Sequence, residues 1–238
     1  MIIIPARIAS SRFPKKILAD IGGIPMVIKT AQRVCSVDKT VIATDSEEVI
    51  AIAKSYGFDA LMTSESHKSG TDRLNEAASM LGLKDDEVII NVQADEPFIE
   101  TQIVQSVKEL TQRHKNNDRI MLNSAYKIVS PSEATDTNLV KVVLNASDHA
   151  IYFSRSIVPF DRDKTANTYK AHLGIYGYTK KMLERFCALA QADIEDIEKL
   201  EQLRAIYHGY SIAMTQVHTQ SFGIDTPQDL ENAKKIFL

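Results

Sequence analysis

The stretch Met1–Leu18, MIIIPARIASSRFPKKIL, decides how the rest of the chain is read. Ile2, Ile3 and Ile4 form a short β-branched run that suits a strand buried on both faces. Pro5 is expected to end it, because proline has no N–H to give a sheet ladder. A loop follows with four cations, Arg7, Arg12, Lys15 and Lys16, spaced by Ala6, Ala9, Ser10 and Ser11. In an open α/β sheet this is where ligands bind, beyond the carboxyl ends of the strands. Small residues let the backbone approach a polyphosphate and the cations neutralise it. The residues alone equally allow a solvated basic loop.

The next hundred residues alternate. Pro25 suits the first position of a helix running to about Val37, with Met26, Val27, Ala31 and Val34 on one face. Thr40–Thr44 (TVIAT) reads as a second strand. Asp45-Ser46-Glu47-Glu48 caps a helix that Gly57 closes. Asp59–Met62 is a third strand. The order strand, helix, strand, helix, strand implies parallel strands joined by crossover helices. Thr63–Arg73 (TSESHKSGTDR) is a polar loop before a helix from about Thr71 to Leu81, with Ser69 or Thr71 as cap. Its N–H groups could hold an anion or a base edge. Val88–Val92 (VIINV) is another apolar strand, and it runs into Gln93-Ala94-Asp95-Glu96-Pro97. Asp95 there could hold Mg²⁺, which prefers carboxylate and phosphate oxygens. It could also cap the next helix, expected from near Ile99 to near His114.

The second half reads differently. Ile120–Val129 is a predicted strand. Leu139–Asn145 and Ala150–Ser154 form a hairpin around Asn145–His149, and His172–Tyr178 (HLGIYGY) is a further strand. Local pairing predicts a mixed or antiparallel insertion over roughly 120–180. Its aromatics suit a partner chain. Helices are expected at Thr179–Gln191 and Ile194–His208, the latter carrying Leu200-Glu201-Gln202-Leu203-Arg204 in an ordinary amphipathic pattern. After a strand at Ile212–Val217 comes Gly223-Ile224-Asp225-Thr226-Pro227-Gln228-Asp229-Leu230. Thr226 and Asp229 make a capping box with Pro227 at the first helical position. Nothing in that box requires Asp225.

Composition sets the bounds. The chain has 238 residues, 44% hydrophobic and 25% charged, with net charge −3. That is ordinary globular composition without the basic field of a nucleic-acid binder. Any anion site must be local. Cys35 and Cys187 form no metal or redox motif and are expected as buried thiols. No run approaches the roughly 18 apolar residues of a membrane span, and the chain opens directly on a strand, so a soluble cytoplasmic protein is expected.

The ordered motifs resemble those of the sugar nucleotidyltransferases that activate acidic sugars with CTP, most of all the 3-deoxy-manno-octulosonate (Kdo) cytidylyltransferases. The matches are R-x-x-S-x-R-x-P-x-K at Arg7–Lys16, T-x-x-x-H-x-S-G-T-[DE]-R at Thr63–Arg73, Q-x-D-E-P at Gln93–Pro97, Y-F-S-R at Tyr152–Arg155, H-x-G-x-Y-[GA]-Y at His172–Tyr178, L-E-Q-L-R at Leu200–Arg204 and G-x-D-T-P-x-D-L at Gly223–Leu230. Lys15 and Ala94 stand where the family has glycine. The resemblance implies an α/β, Rossmann-like nucleotidyltransferase fold. Its sheet would be mainly parallel and flanked by helices, with the smaller insertion, in one domain.

The resemblance also implies the site. Arg7, Ser10, Arg12, Lys16, Ser69, Gly70, Thr71 and Arg73 would hold the nucleotide, with Ser64 and His67 in the same motif. Gln93, Arg155, His172, Tyr176, Glu201 and Gln202 would hold the sugar. Lys16, Asp95 and Asp225 would be catalytic. Asp95 and Asp225 would share a Mg²⁺, with a second Mg²⁺ near Lys16 at the β- and γ-phosphates. The implied reaction joins CTP and Kdo into CMP-Kdo and pyrophosphate for lipopolysaccharide biosynthesis, in a homodimer. Two other readings compete: a relative acting on 8-amino-Kdo or a sialic acid, and a non-catalytic nucleotide-binding domain. A nicotinamide dehydrogenase is disfavoured, since no G-x-G-x-x-G follows the first strand.

Overall fold

The computed structural model describes residues 1–10 and 13–237. Arg12, one of the expected triphosphate contacts, lies outside the described residues. The first half runs β1 (Ile2–Ala6), α1 (Met26–Val34), β2 (Thr40–Thr44), α2 (Glu47–Ser55), β3 (Asp59–Met62), α3 (Gly70–Met80), β4 (Val88–Asn91) and α4 (Thr101–His114). The second runs β5 (Ile120–Val129), β6 (Lys141–Leu144), β7 (Ala150–Ser154), β8 (Tyr169–Thr179), α5 (Lys180–Ala188), α6 (Asp193–Glu198), α7 (Leu203–Tyr207), β9 (Ser211–Gln216) and α8 (Pro227–Phe237).

One sheet collects the strands in the order β3-β2-β1-β4-β8-β5-β9. Strands β1 to β4 are mutually parallel, β8 is antiparallel to both β4 and β5, and β9 is parallel to β5. The long strands β5 and β8 therefore belong to the central sheet. The β6–β7 hairpin stands off it and meets β8 at Lys141 opposite Ala171.

The triple isoleucine accounts for the layering. Ile2 and Ile4 pack with Val27, Ala31, Val49, Val104 and Val107 of α1, α2 and α4 on one face. Ile3 packs with Leu74, Ala77, Met182, Leu183 and Phe186 of α3 and α5 on the other. All three isoleucines are fully buried, each contributing about 1.5–3 kcal/mol. A third cluster joins Ile21, Met26 and Phe98 to Ile224, Leu230 and Ala233, and Phe98 stacks on Phe237 at 4.6 Å. It clamps α8, and with it the Asp225 loop, beside the loop that leaves β4.

Three expectations are corrected. Pro5 does not end β1, which continues to Ala6 with Pro5 opposite Ala43. The carbonyls of Met1 and Ile3 accept from Ile90 and Val92, so odd residues of β1 face β4. The β4 register ends at Asn91, so no ladder bond is asked of Pro5. Second, the expected helix over Ile194–His208 is broken. Lys199 takes left-handed φ and ψ of 53° and 46°, a conformation costing about 1–2 kcal/mol for a non-glycine residue. Glu198 is drawn sideways instead, its carboxylate accepting from Ser154 Oγ at 2.6 Å and Arg155 N at 2.9 Å. Third, Cys35 is exposed, because it caps α1 beyond the buried stripe, while Cys187 is half-buried.

Close packing of α4 on β8 rests on Gly177. A Cβ there would lie 2.0 Å from Thr111 Oγ1 and 3.1 Å from Ile90 Cδ1. Thr111 is held in place by its bond to Val107 O at 2.7 Å. Gly177→Ala is expected to destabilise the fold by about 1–3 kcal/mol through overpacking. Adding Thr111→Ala should recover most of that loss, as urea unfolding of the single and double variants would read out.

Candidate active site

The basic loop and the α3 N-terminus face one another across a cavity of about 330 Å³ beyond the ends of β1 and β4. Arg7, Ser10, Lys16, His67, Ser69, Gly70 and Arg73 line it. Lys15 adopts φ 52° and ψ 32°, so the backbone shape that glycine would take freely is here imposed on a lysine. Its ammonium reaches Glu48 at 2.7 Å, away from the cavity lining. The next residue, Lys16, turns inward.

Lys16 Nζ stands 2.5 Å from Asp95 Oδ2 and 3.0 Å from Asp225 Oδ1. Burial works against its charge, but the Asp95 and Asp225 carboxylates outweigh burial and hold its pKa above the usual lysine range. Each acid is delivered by local structure. Ala94 O accepts from Thr30 Oγ1 at 3.0 Å, which ties the loop after β4 to α1. Ile224 N donates to Asp95 O at 2.9 Å, which joins the two acidic loops. The expected capping box forms: Asp229 N donates to Thr226 Oγ1 at 3.2 Å, and Thr226 N donates to Asp229 Oδ2 at 2.8 Å. Asp95 does not cap α4, whose N-cap position is Glu100.

A second, larger cavity of about 650 Å³ lies on the other side of the acids. His172, Tyr176, Glu201 and Gln202 line it, and Gly70, Gln93, Asp95 and Asp225 border both cavities. The break at Lys199 leaves Leu200-Glu201-Gln202 between α6 and α7, with Glu201 and Gln202 on the cavity wall. Tyr176 OH donates to Gln202 Oε1 at 3.4 Å, which orients the amide. Gln202 Nε2 and Glu201 Oε1 are buried without hydrogen-bond partners among the described residues, a costly arrangement that a polar ligand would relieve. Burial raises the pKa of both Glu201 and Tyr176.

His172 is buried, and burial pushes its pKa down to about 3. Its Nε2 lies 3.0 Å from Ser124 Oγ, and that hydroxyl donates to Ile175 O at 2.8 Å. The Nε2 atom therefore carries the imidazole proton. A folded-state pKa below the unfolded value contributes stability that is complete above about pH 6.5 and is lost as pH falls toward 3. Between pH 7.5 and 5 the loss is about 2 kcal/mol. His172→Gln should lack this component, so urea unfolding of both proteins across that range should show slopes differing by that amount. Parallel slopes would contradict a buried neutral imidazole.

Not every expected residue is brought in. Arg155 borders neither cavity: its Nε donates to Glu198 O at 2.8 Å and its Nη1 to Thr137 O at 3.1 Å. Those two carbonyls hold the guanidinium where it stands. Arg73 lines the smaller cavity but is nearly all buried, with Nη2 on Asp45 Oδ2 at 2.8 Å and Nη1 on Thr63 Oγ1 at 2.6 Å. Ser69 caps α3, accepting from Asp72 N at 3.1 Å. Ser64 N and His67 Nε2 both meet Glu76 Oε2, at 2.8 and 2.6 Å, which fastens the polar loop. Three charged residues of the larger cavity escape a reading of the sequence, Lys127, Asp136 and Lys199, whereas Glu96 is the second of the two acids that follow the VIINV strand. Burial, then the Asp95 charge, pushes Glu96 up to about 8. Its place beside Asp95 is its signal in the sequence; Lys127, Asp136 and Lys199 carry none.

The cytidylyltransferase family model matches residues 1–212. A 3-deoxy-manno-octulosonate cytidylyltransferase from Nitratiruptor sp. is 62% identical over all of this chain and 99% of its own length. The chain belongs to the 3-deoxy-manno-octulosonate cytidylyltransferase family. The Wolinella succinogenes member is 54% identical over 100% of this chain and 99% of its own. A solved CMP:2-keto-3-deoxy-manno-octonic acid synthetase complexed with CTP superimposes with a TM-score of 0.89. It is 36% identical and covers 99% of this chain and 96% of its own. The parallel β1–β4 half and the antiparallel β8 match the fold of that cytidylyltransferase neighbour.

Proposed function

We propose that this chain transfers the cytidylyl group of CTP to the anomeric hydroxyl of 3-deoxy-manno-octulosonate, giving CMP-Kdo and pyrophosphate. One observation carries the reading: Asp95 and Asp225 meet at Lys16 on the border between the two cavities. The smaller cavity, with Arg7, Ser10, Lys16, Ser69 and Gly70, suits the nucleotide and its phosphates. The larger, with Gln93, His172, Tyr176, Glu201 and Gln202, suits the sugar. The hydroxyl oxygen bonds to the α-phosphorus as the α–β anhydride bond breaks, and pyrophosphate leaves.

The protein's work is to place these groups in line and to offset the phosphate charge. Lys16 and Arg7 do the latter from one side. The acid pair fits a hard divalent cation: both carboxylates already present an oxygen to one ammonium, and both stay open to solvent, at 27% and 46% side-chain exposure. Asp95 and Asp225 would hold Mg²⁺ there, phosphate and water oxygens completing its shell. Such an ion supplies Lewis-acid charge to the phosphate and lowers the hydroxyl's pKa.

The direct test is pyrophosphate release by the purified chain with CTP, Mg²⁺ and octulosonate. Fast release with Kdo and much slower release with the 8-amino sugar or a sialic acid is expected; the reverse order would move the assignment to that sugar. No release with any of them would leave a nucleotide-binding domain. We further propose a homodimer, supported by exposed Ile151, Ile157 and Phe160 on and after β7, the last 85% exposed. A solution mass twice that of the chain is the expected result.

A further inference from the structure

The side chain of Thr71 is joined to the larger cavity, although its motif resembles a nucleotide-binding one. Thr71 borders that cavity and not the smaller one. It sits at the second position of α3, 3% exposed. Its hydroxyl donates a short hydrogen bond to Glu201 Oε2 across 130 residues of sequence. Its carbonyl is met by Cys187 Sγ at 3.7 Å, so α5 holds it from behind.

Glu201 is correspondingly divided. Oε2 is taken by Thr71. Oε1 is buried with no hydrogen-bond partner among the described residues, Arg204 Nη2 standing 3.8 Å from it. A carboxylate on a turn has two free torsions before its terminal rotation, and a bond to one oxygen fixes where the other one lies. We propose that Thr71 is a positioning residue of the sugar site: its hydroxyl holds the Glu201 carboxylate so that Oε1 is presented to a hydroxyl of the sugar. This rests on the assignment of the larger cavity to the sugar. It also gives α3 two duties. Its cap Ser69 and first residue Gly70 border the nucleotide cavity, and one residue later Thr71 fixes an acceptor for the second substrate.

The test uses Thr71→Val, nearly isosteric and without the hydroxyl, with Thr71→Ser as the variant that keeps it. Steady-state kinetics with CTP, Mg²⁺ and octulosonate should show the sugar KM raised at least ten-fold in Thr71→Val. The CTP KM, and the CTP affinity measured by calorimetry without sugar, should stay within about two-fold. Thr71→Ser should restore most of the sugar KM. Adding Thr71→Val to Glu201→Gln should worsen the sugar KM little beyond Glu201→Gln alone, since the hydroxyl then has no carboxylate to hold. A Thr71→Val protein that loses CTP affinity instead would overturn the proposal in favour of a nucleotide contact. An unchanged sugar KM in Thr71→Val alongside a raised one in Glu201→Gln would overturn the positioning role alone. An unchanged sugar KM in Glu201→Gln would overturn the sugar-site assignment together with it. If Thr71→Val fails to fold, Thr71→Ala and Thr71→Ser carry the same comparison.

Discussion

Asp225→Asn is expected to lower kcat by on the order of a thousand-fold or more, the effect typical of removing charge stabilisation from a phosphoryl-type transition state. The substitution keeps the side chain's size and removes one of the two carboxylates at Lys16. The fold should survive it. The cap of α8 is carried by Thr226 and Asp229, and α8 is anchored by Leu230, Ala233 and the Phe98–Phe237 stack. The Asp225 side chain is nearly half exposed, so little packing is disturbed. Unfolding midpoints of the two proteins should therefore agree while turnover collapses. The Mg²⁺ concentration for half-maximal rate should rise in any residual activity. Near-normal turnover in a folded Asp225→Asn protein would remove Asp225 from the catalytic set. Asp95→Asn makes the complementary measurement, because two backbone bonds, through Ala94 O and Asp95 O, keep its loop in place when the carboxylate is neutralised.

What can be read from sequence and what cannot divides along the range of the interactions. The buried parallel strands announce themselves locally, in III, TVIAT and VIIN. So do the caps, since Ser46 and Ser69 accept from the N–H three residues on. The Thr226–Asp229 box is equally local. Pro5 misleads because its place depends on where β4 leaves β1, eighty residues away. The periodicity over 194–208 misleads because Glu198 is captured by Ser154 and Arg155 from another part of the chain. Lys127, Asp136 and Lys199 carry no periodic mark, and only the folded cavity groups them. The approach of Asp95 to Asp225 follows from no spacing rule either; only the likeness of the flanking motifs to a family points to it. Resemblance also groups Arg73 and Thr71 as nucleotide contacts, and there the folded arrangement adds what a motif cannot show, the partner that each side chain actually holds.

Arg73 illustrates this most sharply, and Arg73→Met is expected to destabilise the fold by about 3–5 kcal/mol, the cost of leaving a buried charge unpaired. The guanidinium is 3% exposed and its partner Asp45 is 11% exposed, so water screens the pair little. Asp45 also holds the basic loop, since its Oδ1 accepts from Ile8 N at 3.1 Å while Oδ2 holds Arg73. Arg73 Nη1 meanwhile donates to Thr63 Oγ1, whose own hydroxyl donates to Thr44 O at 3.0 Å. One cation thus braces α3, the end of β2, the start of the polar loop and the basic loop after β1. Removing it should loosen the Arg7–Ser10 segment that lines the nucleotide cavity, so CTP affinity should fall along with stability. Asp45→Asn keeps an acceptor for Ile8 N and removes the charge. If the loss comes from the orphaned carboxylate, the double variant Arg73→Met with Asp45→Asn should be more stable than Arg73→Met alone by at least about 1 kcal/mol. Urea unfolding of the wild type, both single variants and the double variant closes the cycle. Additive losses would mean that Arg73 acts through its hydrophobic stem and Thr63, not through its pairing with Asp45.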